Sequence, residues 1–473
     1  MRTLVRNGLV ITAAEESTAD VLIEDEKVVA LAATGSSVAQ SWTADTEIDA
    51  TGCYVVPGGV DGHTHMEMPF GGTTASDTFE TGTRAAAWGG TTTIVDFAIQ
   101  SMGATLREGL DAWHAKADGN CAIDYSFHMI MADVQEGSLK EMEALVGEGV
   151  TSFKLFMAYP GVLYSDDGQV LRAFQKGAET GGLILMHAEN GIAIDVLIEQ
   201  ALARGETDPI HHGLVRRSVL EGEATHRAIK LAELAGCPLY IVHLSAQEAL
   251  EEVAIARDQA ANVFAETCPQ YLFLDLEDLG GGFEGAKYVC SPPLRDRDEG
   301  HHDALWAGLA SNDLQVVSTD HCPFNFEDHP ELGRQKRLGE GDFSKIPNGL
   351  PGVENRIELM YQGAVGEDRL TLKRWVEVCA TTPARMFGLY PRKGTIAIGS
   401  DADIVVFDPD RPSVISAATH HMRTDYSCYE GMEVTGSIDT VLSRGKVVIA
   451  DGEYHGSPGD GRYLPRETNQ YLI

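Results

Sequence analysis

From residue 54 to residue 319 the chain repeats one pattern: a short apolar run, a turn, then a longer stretch with helical spacing. The apolar runs cover 54–60, 92–98, 123–130, 150–156, 183–187, 239–243, 262–266 and 314–319. They are of strand length and nearly continuous in apolar character, as strands covered on both faces are. Apolar residues at helical spacing fill 77–88, 138–146, 171–179, 224–235 and 246–258. Eight buried strands separated by helices predict an α/β fold, a parallel (β/α)8 TIM barrel. Both ends of the chain read differently. Short strands separated by turn residues are expected at 3–5, 9–12, 20–24, 27–32 and 46–49, and again at 404–407, 434–438, 440–443 and 446–450. The two ends are expected to meet in one small β-sandwich, residues 1–55 and 391–473, beside a barrel of residues 56–390. The tail from 453, rich in Gly and Asp, reads as an extended arm, either mobile or used in assembly. Two long loops, 275–286 and 324–349, follow the seventh and eighth strands, where barrel loops carry function.

Polar residues interrupt the apolar runs at their carboxyl ends. His63-Thr64-His65 closes the first, and strand alternation sends the two imidazoles to one face. Lys154 lies in the fourth strand, His187 ends the fifth, His243 ends the sixth and Asp320 follows the eighth. The carboxyl ends of barrel strands share one rim, so these six side chains are expected to converge there. Four imidazoles and a carboxylate suit Zn²⁺, with Mn²⁺, Co²⁺ or Fe²⁺ as alternatives. Lys154 sits between Phe153 and Leu155-Phe156, where an ammonium is costly. A Schiff-base role or a carbamate formed with CO2 would resolve that, and the surrounding imidazoles favour the carbamate. His128, in the third strand, is expected either to be packed or to support the site from behind its ligands. The pairs His211-His212, His301-His302 and His420-His421 lie in polar sequence and are expected at the surface.

Composition narrows the partners. The 473 residues carry 36 basic and 71 acidic side chains, a net charge of −35, with the acids spread along the chain. No basic patch offsets them, which disfavours nucleic acid and anionic membranes as partners. No apolar stretch is long enough to span a bilayer, and the first residues hold no signal-like apolar core. Eight cysteines without a CxxC pair fit reduced thiols and a cytoplasmic protein.

Several stretches together resemble the dihydropyrimidinase and D-hydantoinase family, in the cyclic-amidohydrolase branch of the metal-dependent amidohydrolases. They are Pro57-Gly-Gly-Val-Asp-Gly-His-Thr-His-Met-Glu-Met-Pro-Phe70, Phe153-Lys-Leu-Phe-Met-Ala-Tyr-Pro-Gly161, His187-Ala-Glu-Asn190 and Ile241-Val-His-Leu-Ser245. Cys290-Ser-Pro-Pro-Leu294, Ser318-Thr-Asp-His-Cys322 and Pro347-Asn-Gly-Leu-Pro-Gly352 continue the likeness. The resemblance implies two divalent metal ions, one held by His63, His65 and Asp320, the other by His187 and His243. Lys154, as N6-carboxylysine, would bridge them. It further implies that Tyr159 faces the substrate carbonyl and that Ser291 and Asn348 bind the ring's amide edge. Phe70, Phe156 and Leu163 would line the pocket for the exocyclic substituent, and Asp320 would shuttle the proton. A small cyclic amide is the implied substrate, and a homotetramer the implied assembly, with a dimer as alternative.

Met66-Glu67-Met68-Pro69-Phe70 carries no cation. That argues against a carboxylated ring, as in dihydroorotase, and for 5,6-dihydropyrimidines or 5-substituted hydantoins. Allantoinase or another cyclic imide hydrolase is the alternative within the class. A non-catalytic scaffold is the alternative outside it, and the six filled ligand positions disfavour that reading.

Overall fold

The computed structural model describes residues 1–472. Eight parallel strands follow one another around a barrel: Gly59–Thr64, Thr91–Ile99, Asp124–Ile130, Ser152–Phe156, Leu183–His187, Leu239–Ile241, Val263–Thr267 and Val316–Val317. Helices return the chain between them, among them Phe79–Trp88, Leu106–Ala117, Glu136–Gly147, Asp167–Thr180, Ser218–Ala235, Gln247–Asp258 and His301–Ser311. Thr78, Thr105 and Asp166 start three of these helices with reciprocal capping boxes, each satisfying exposed amides of the first turn.

The chain-end strands form a separate sheet of nine, built from Arg2–Ile11, Glu16–Glu24, Lys27–Ala33, Thr46–Asp49 and Tyr54–Pro57 with Ile404–Val414, Glu433–Ser443, Lys446–Ala450 and Glu453–Tyr454. Two pairs of short expected strands prove continuous. Arg2–Ile11 absorbs an irregularity between Val5 and Gly8, and Glu433–Ser443 spans both 434–438 and 440–443. The sheet curls over its own apolar core of Val5, Val21, Val55, Ile404, Val406 and Leu442. The run 54–60, expected as one barrel strand, divides. Tyr54–Pro57 pairs with Ile404–Phe407 in the end sheet, and the barrel begins at Gly59. Both halves are buried, so hydrophobicity is continuous across a change of sheet. Gly58 makes the crossing: a Cβ there would lie 2.2 Å from the Thr92 side chain. Lys393 stitches the two bodies together, its buried ammonium 2.6 Å from Asp124 of the barrel and 2.7 Å from Asp403 of the sheet.

The tail is not a free arm. Arg466 is buried and donates to Phe127 O at 2.6 Å, Ser126 Oγ at 2.9 Å and Ser152 Oγ at 2.7 Å. It therefore seals the third and fourth barrel strands.

The seam between the last and first strands is built largely from side chains. Val316–Val317 is only two residues long and pairs with Val263–Thr267. Across the seam, His65 N donates to His321 O at 2.8 Å. Asp61 accepts from Thr319 Oγ1 at 2.7 Å and from Thr319 N at 3.2 Å. The buried Arg356 guanidinium donates to Val60 O, Val317 O and Cys379 O at 3.2, 2.9 and 3.0 Å. Arg356→Met keeps the volume but orphans these carbonyls and leaves Asp61 without its cation. It is expected to cost about 3–5 kcal/mol, the usual penalty for breaking a buried charged pair. Urea denaturation reads this directly, and an unchanged midpoint would refute the seam's role.

Candidate metal centre and active site

The barrel's carboxyl rim brings the six expected residues together: His65, Lys154, His187, His243 and Asp320 line one cavity, with the fully buried His63 directly behind it. His63 Nε2 lies 3.1 Å and His65 Nε2 3.3 Å from Asp320 Oδ1. The ligand atoms of these three buried residues all fall within 4.8 Å of one another. The ring of His243 stands 5.4 Å from that of His63 and 4.5 Å from that of His187. Lys154 Nζ points into the same space, 2.9 Å from His63 Nε2 and over the Phe97 ring. Phe70, Phe156, Tyr159, Leu163, Ser291 and Asn348 line the cavity with them; it is open to solvent and its empty volume is about 430 Å³.

The backbone at this rim is bent to aim side chains. Tyr159, His243 and Asp320 hold left-handed φ angles of 60°, 40° and 51°, a conformation non-glycine residues adopt at a cost. Three of the expected functional residues thus carry local strain that the surrounding fold maintains.

Electrostatics follow from burial and proximity. Burial alone would raise the Asp320 carboxyl, yet His63 and His65 beside it hold it down to about 2, so it stays ionised. Burial pushes His63 and His243 well below the usual imidazole range, which keeps them neutral as metal ligands must be. Burial also lowers the Lys154 ammonium to about 8. Part of it is then the free amine that can add CO2. Tyr159 moves the other way, its phenol raised by burial, and remains a donor.

Do these residues fit metal ions? Both ring nitrogens of His243 and Nδ1 of His65 are buried without a hydrogen-bond partner. Such orphans are rare in folded proteins and call for an explanation. A cation beside His243 supplies one, and four imidazoles, a carboxylate and a carboxylatable lysine form a coherent donor set for two ions. The residues fit.

A second layer of acids was not singled out from sequence. Glu266, at the seventh strand, accepts from His63 Nδ1 and from Tyr240 Oη at 2.9 Å, which points His63 Nε2 into the site. Asp96 accepts from Thr64 Oγ1 at 2.7 Å, Met66 N at 2.8 Å and Trp113 Nε1 at 3.0 Å, fixing the turn that carries His65. Glu189 accepts from His187 Nε2 at 2.6 Å, which leaves Nδ1 as the ring nitrogen available to a cation. The available signal was a lone acid inside an apolar run: Glu266 is the only charged residue of Val263–Thr267, and Asp96 of Thr91–Ile99.

Histidine pairs expected at the surface are corrected in part. His212, His301 and His302 are buried, while His211, His420 and His421 are half-buried. Helix periodicity explains this, since polar neighbours in sequence face outward while the histidine faces in. His212 donates from Nε2 to Cys290 O at 2.7 Å, directly behind Ser291. His128 is packed as expected, bonded to Ser152 Oγ and Gly62 O beneath the site.

Comparison with known proteins places this geometry. The amidohydrolase family profile matches residues 54–448, most of the chain. The chain belongs to the amidohydrolase family. A D-hydantoinase of Streptomyces coelicolor is 68% identical over 472 residues, covering 100% of this chain and 99% of that protein. The crystal structure of a dihydropyrimidinase from Brevibacillus agri superposes with a TM-score of 0.95 at 48% identity, covering 99% of each chain. An L-hydantoinase from Arthrobacter aurescens is more distant, at 31% identity and a TM-score of 0.87, covering 98% of this chain and 99% of that one. The amidohydrolase family implies a binuclear metal centre, and His63, His65 and Asp320 form a buried cluster whose spacing could hold a metal ion.

Proposed function

We propose that this amidohydrolase opens the ring amide bond of neutral cyclic ureides, 5-substituted hydantoins and 5,6-dihydropyrimidines, to give N-carbamoyl amino acids. Its similarity to hydantoinases over the whole length makes it a cyclic amidohydrolase. One observation carries the substrate class. The cavity sets the imidazole–carboxylate cluster against an amide-matching edge, Ser291 and Asn348, and an apolar wall of Phe70, Phe156 and Leu163. No arginine lines that inner cavity among the described residues, so a ring carboxylate would find no guanidinium partner.

His63, His65 and Asp320 would hold one divalent ion, His187 and His243 the second, and carboxylated Lys154 would serve both. Zinc suits this set best, with manganese or cobalt as alternatives, and CO2 is the source of the lysine modification. Bound there, the ions would supply Lewis acidity and lower the pKa of a water to about 7.

The chain's own groups do the rest. Ser291 and Asn348 bind the amide edge of the ring. Asn348 Nδ2 lies 3.1 Å from Ser291 Oγ and 3.5 Å from Tyr159 Oη, so the three form one polar arc. Tyr159 Oη donates to the oxygen on which charge develops. Ionised Asp320 accepts the proton of the attacking water and returns it to the departing ring nitrogen. Phe70 and Phe156 pack against the Tyr159 ring at centroid distances of 5.3 and 6.0 Å and give that side of the cavity its apolar character.

Tyr159→Phe is expected to lower kcat about 10²–10³-fold, the usual effect of deleting one oxyanion donor, with metal content unchanged. Full turnover by the metal-loaded variant would remove Tyr159 from the mechanism. The substrate class is tested by parallel turnover of D- and L-5-substituted hydantoins, dihydrouracil and allantoin. The 68% identity to a D-hydantoinase and 31% to an L-hydantoinase favour the D enantiomer. Opening of allantoin alone would overturn the substrate assignment.

A homotetramer in the cytoplasm belongs to the same proposal. All eight cysteines are free and seven are buried, as suits a reducing compartment. Among the described residues no helix is long and apolar enough to cross a membrane.

A further inference from the structure

Lys336 is fully buried in the long loop after the eighth strand. Its ammonium has three protons and meets three backbone carbonyls: Val289 O at 3.0 Å, Pro347 O at 2.8 Å and Gly349 O at 2.9 Å. It makes no ion pair with a carboxylate among the described residues. A buried cation without a counter-charge is costly, and bonds to uncharged carbonyls recover only part of that cost. The acceptors are not scattered. Val289 lies two residues before Ser291, while Pro347 and Gly349 flank Asn348 on either side. The two segments also meet directly, Gly349 N donating to Val289 O at 3.0 Å.

We propose that Lys336 is a positioning residue for substrate recognition: its ammonium clamps the Ser291 and Asn348 segments together, fixing the spacing of the two groups that bind the ring's amide edge. This rests on the reading of Ser291 and Asn348 as those groups. The neighbouring side chain extends the clamp. Gln335 Oε1 accepts from Asn325 N at 2.8 Å, and its Nε2 donates to Thr73 Oγ1 at 2.9 Å and Thr74 O at 2.6 Å. Thr73–Thr74 pairs with Pro69–Phe70, which carries the apolar wall. Two consecutive side chains thus tie together the three loops that surround the substrate.

The clamp requires the protonated lysine. A neutral amine offers two N–H donors and turns a lone pair toward the third carbonyl. Burial lowers the Lys336 ammonium to about 8. The titratable groups that face it are the thiols of Cys290, Cys322 and Cys428 and the imidazole of His212. Burial raises the three thiols and lowers the imidazole, so all four are neutral when Lys336 titrates.

The test is steady-state kinetics of the metal-loaded enzyme with a D-5-substituted hydantoin. Lys336→Gln and Lys336→Met are expected to raise KM about ten-fold at pH 7 and to change kcat less than three-fold, with two metals still bound per chain. In the wild type KM should climb between pH 7 and 9, while in Lys336→Gln that extra rise disappears; ionisation of the ring is common to both and cancels. A purely structural lysine would lower the melting temperature and leave the KM of the folded enzyme unchanged, which overturns the proposal. If neither variant folds, the wild-type profile decides alone: with dihydrouracil, whose ring stays protonated, a flat KM across that range also overturns it. Asn348→Ala separates the two layers of the argument. A raised KM in Asn348→Ala with normal KM in Lys336→Gln defeats the clamp alone, whereas normal KM in Asn348→Ala defeats the underlying reading of the site.

Discussion

Asp320→Asn is expected to reduce kcat about 10³–10⁴-fold, the upper end of what a positioned acid–base group contributes. Asparagine keeps the size and one oxygen but loses both the charge and the capacity to take a proton. The wild-type carboxylate is ionised throughout the neutral range, held at about 2 by His63 and His65. It is therefore available as a base without any shift in pH. Its Oδ1 stands between the two imidazoles at 3.1 and 3.3 Å, so the substitution also weakens one metal position. Elemental analysis separates the two effects. A variant with both ions bound and kcat still down about 10³-fold isolates proton transfer. A variant with both ions bound and kcat within ten-fold of wild type would remove Asp320 from the chemistry.

Lys154→Ala should abolish turnover, by more than about 10³-fold, and take the metal content from two ions per chain to one or none. In the proposed site carboxylated Lys154 would serve both ions, whereas as an unmodified ammonium it would repel them. Alanine leaves a space beside Phe97 and Phe156, where the Lys154 side chain ends. A small carboxylate such as acetate can enter that space, so millimolar acetate with added metal should restore part of the activity. Lys154→Arg, which cannot carry a carbamate, should behave like the alanine variant at the level of metal binding. Apo enzyme reloaded with metal in CO2-depleted buffer should recover more slowly than with bicarbonate present. Normal metal content and turnover in Lys154→Ala would refute the bridging role.

Much of the site was legible because its residues break a pattern. A histidine or lysine in an apolar strand stands out, and the barrel assigns every strand end to one rim. His63, His65, Lys154, His187, His243 and Asp320 could thus be gathered without knowing any distance. The supporting acids were equally anomalous, yet Asp61, Asp96 and Glu266 have partners far away in sequence, which no local spacing announces. Glu266, for example, answers to His63 across 203 residues. The division of 54–60 between two sheets was hidden for the opposite reason: burial on both sides of Gly58 erases the boundary. The docked tail and buried His212, His301 and His302 belong to the same class, where a polar sequence is buried by hydrogen bonding rather than by hydrophobicity. Lys336 is the extreme case. Its surroundings in sequence, Arg334-Gln-Lys-Arg337, read as a solvated charge run, and only the three carbonyls reveal it.

The side-chain seam of the barrel bears on how the protein is made. Asp61 and Thr319, which meet across it, are 258 residues apart. Bringing such distant points together costs an unfolded chain about 5 kcal/mol of closure entropy. His63, His65 and Asp320 straddle the same joint, so this cluster does not exist until nearly the whole barrel has been synthesised and wound. During translation the nascent chain can present the two histidines of the first strand, but not a completed binding site. Metal held by the finished cluster, as proposed, would act as a clasp between the first and last strands, and its removal should loosen the entire ring rather than one loop.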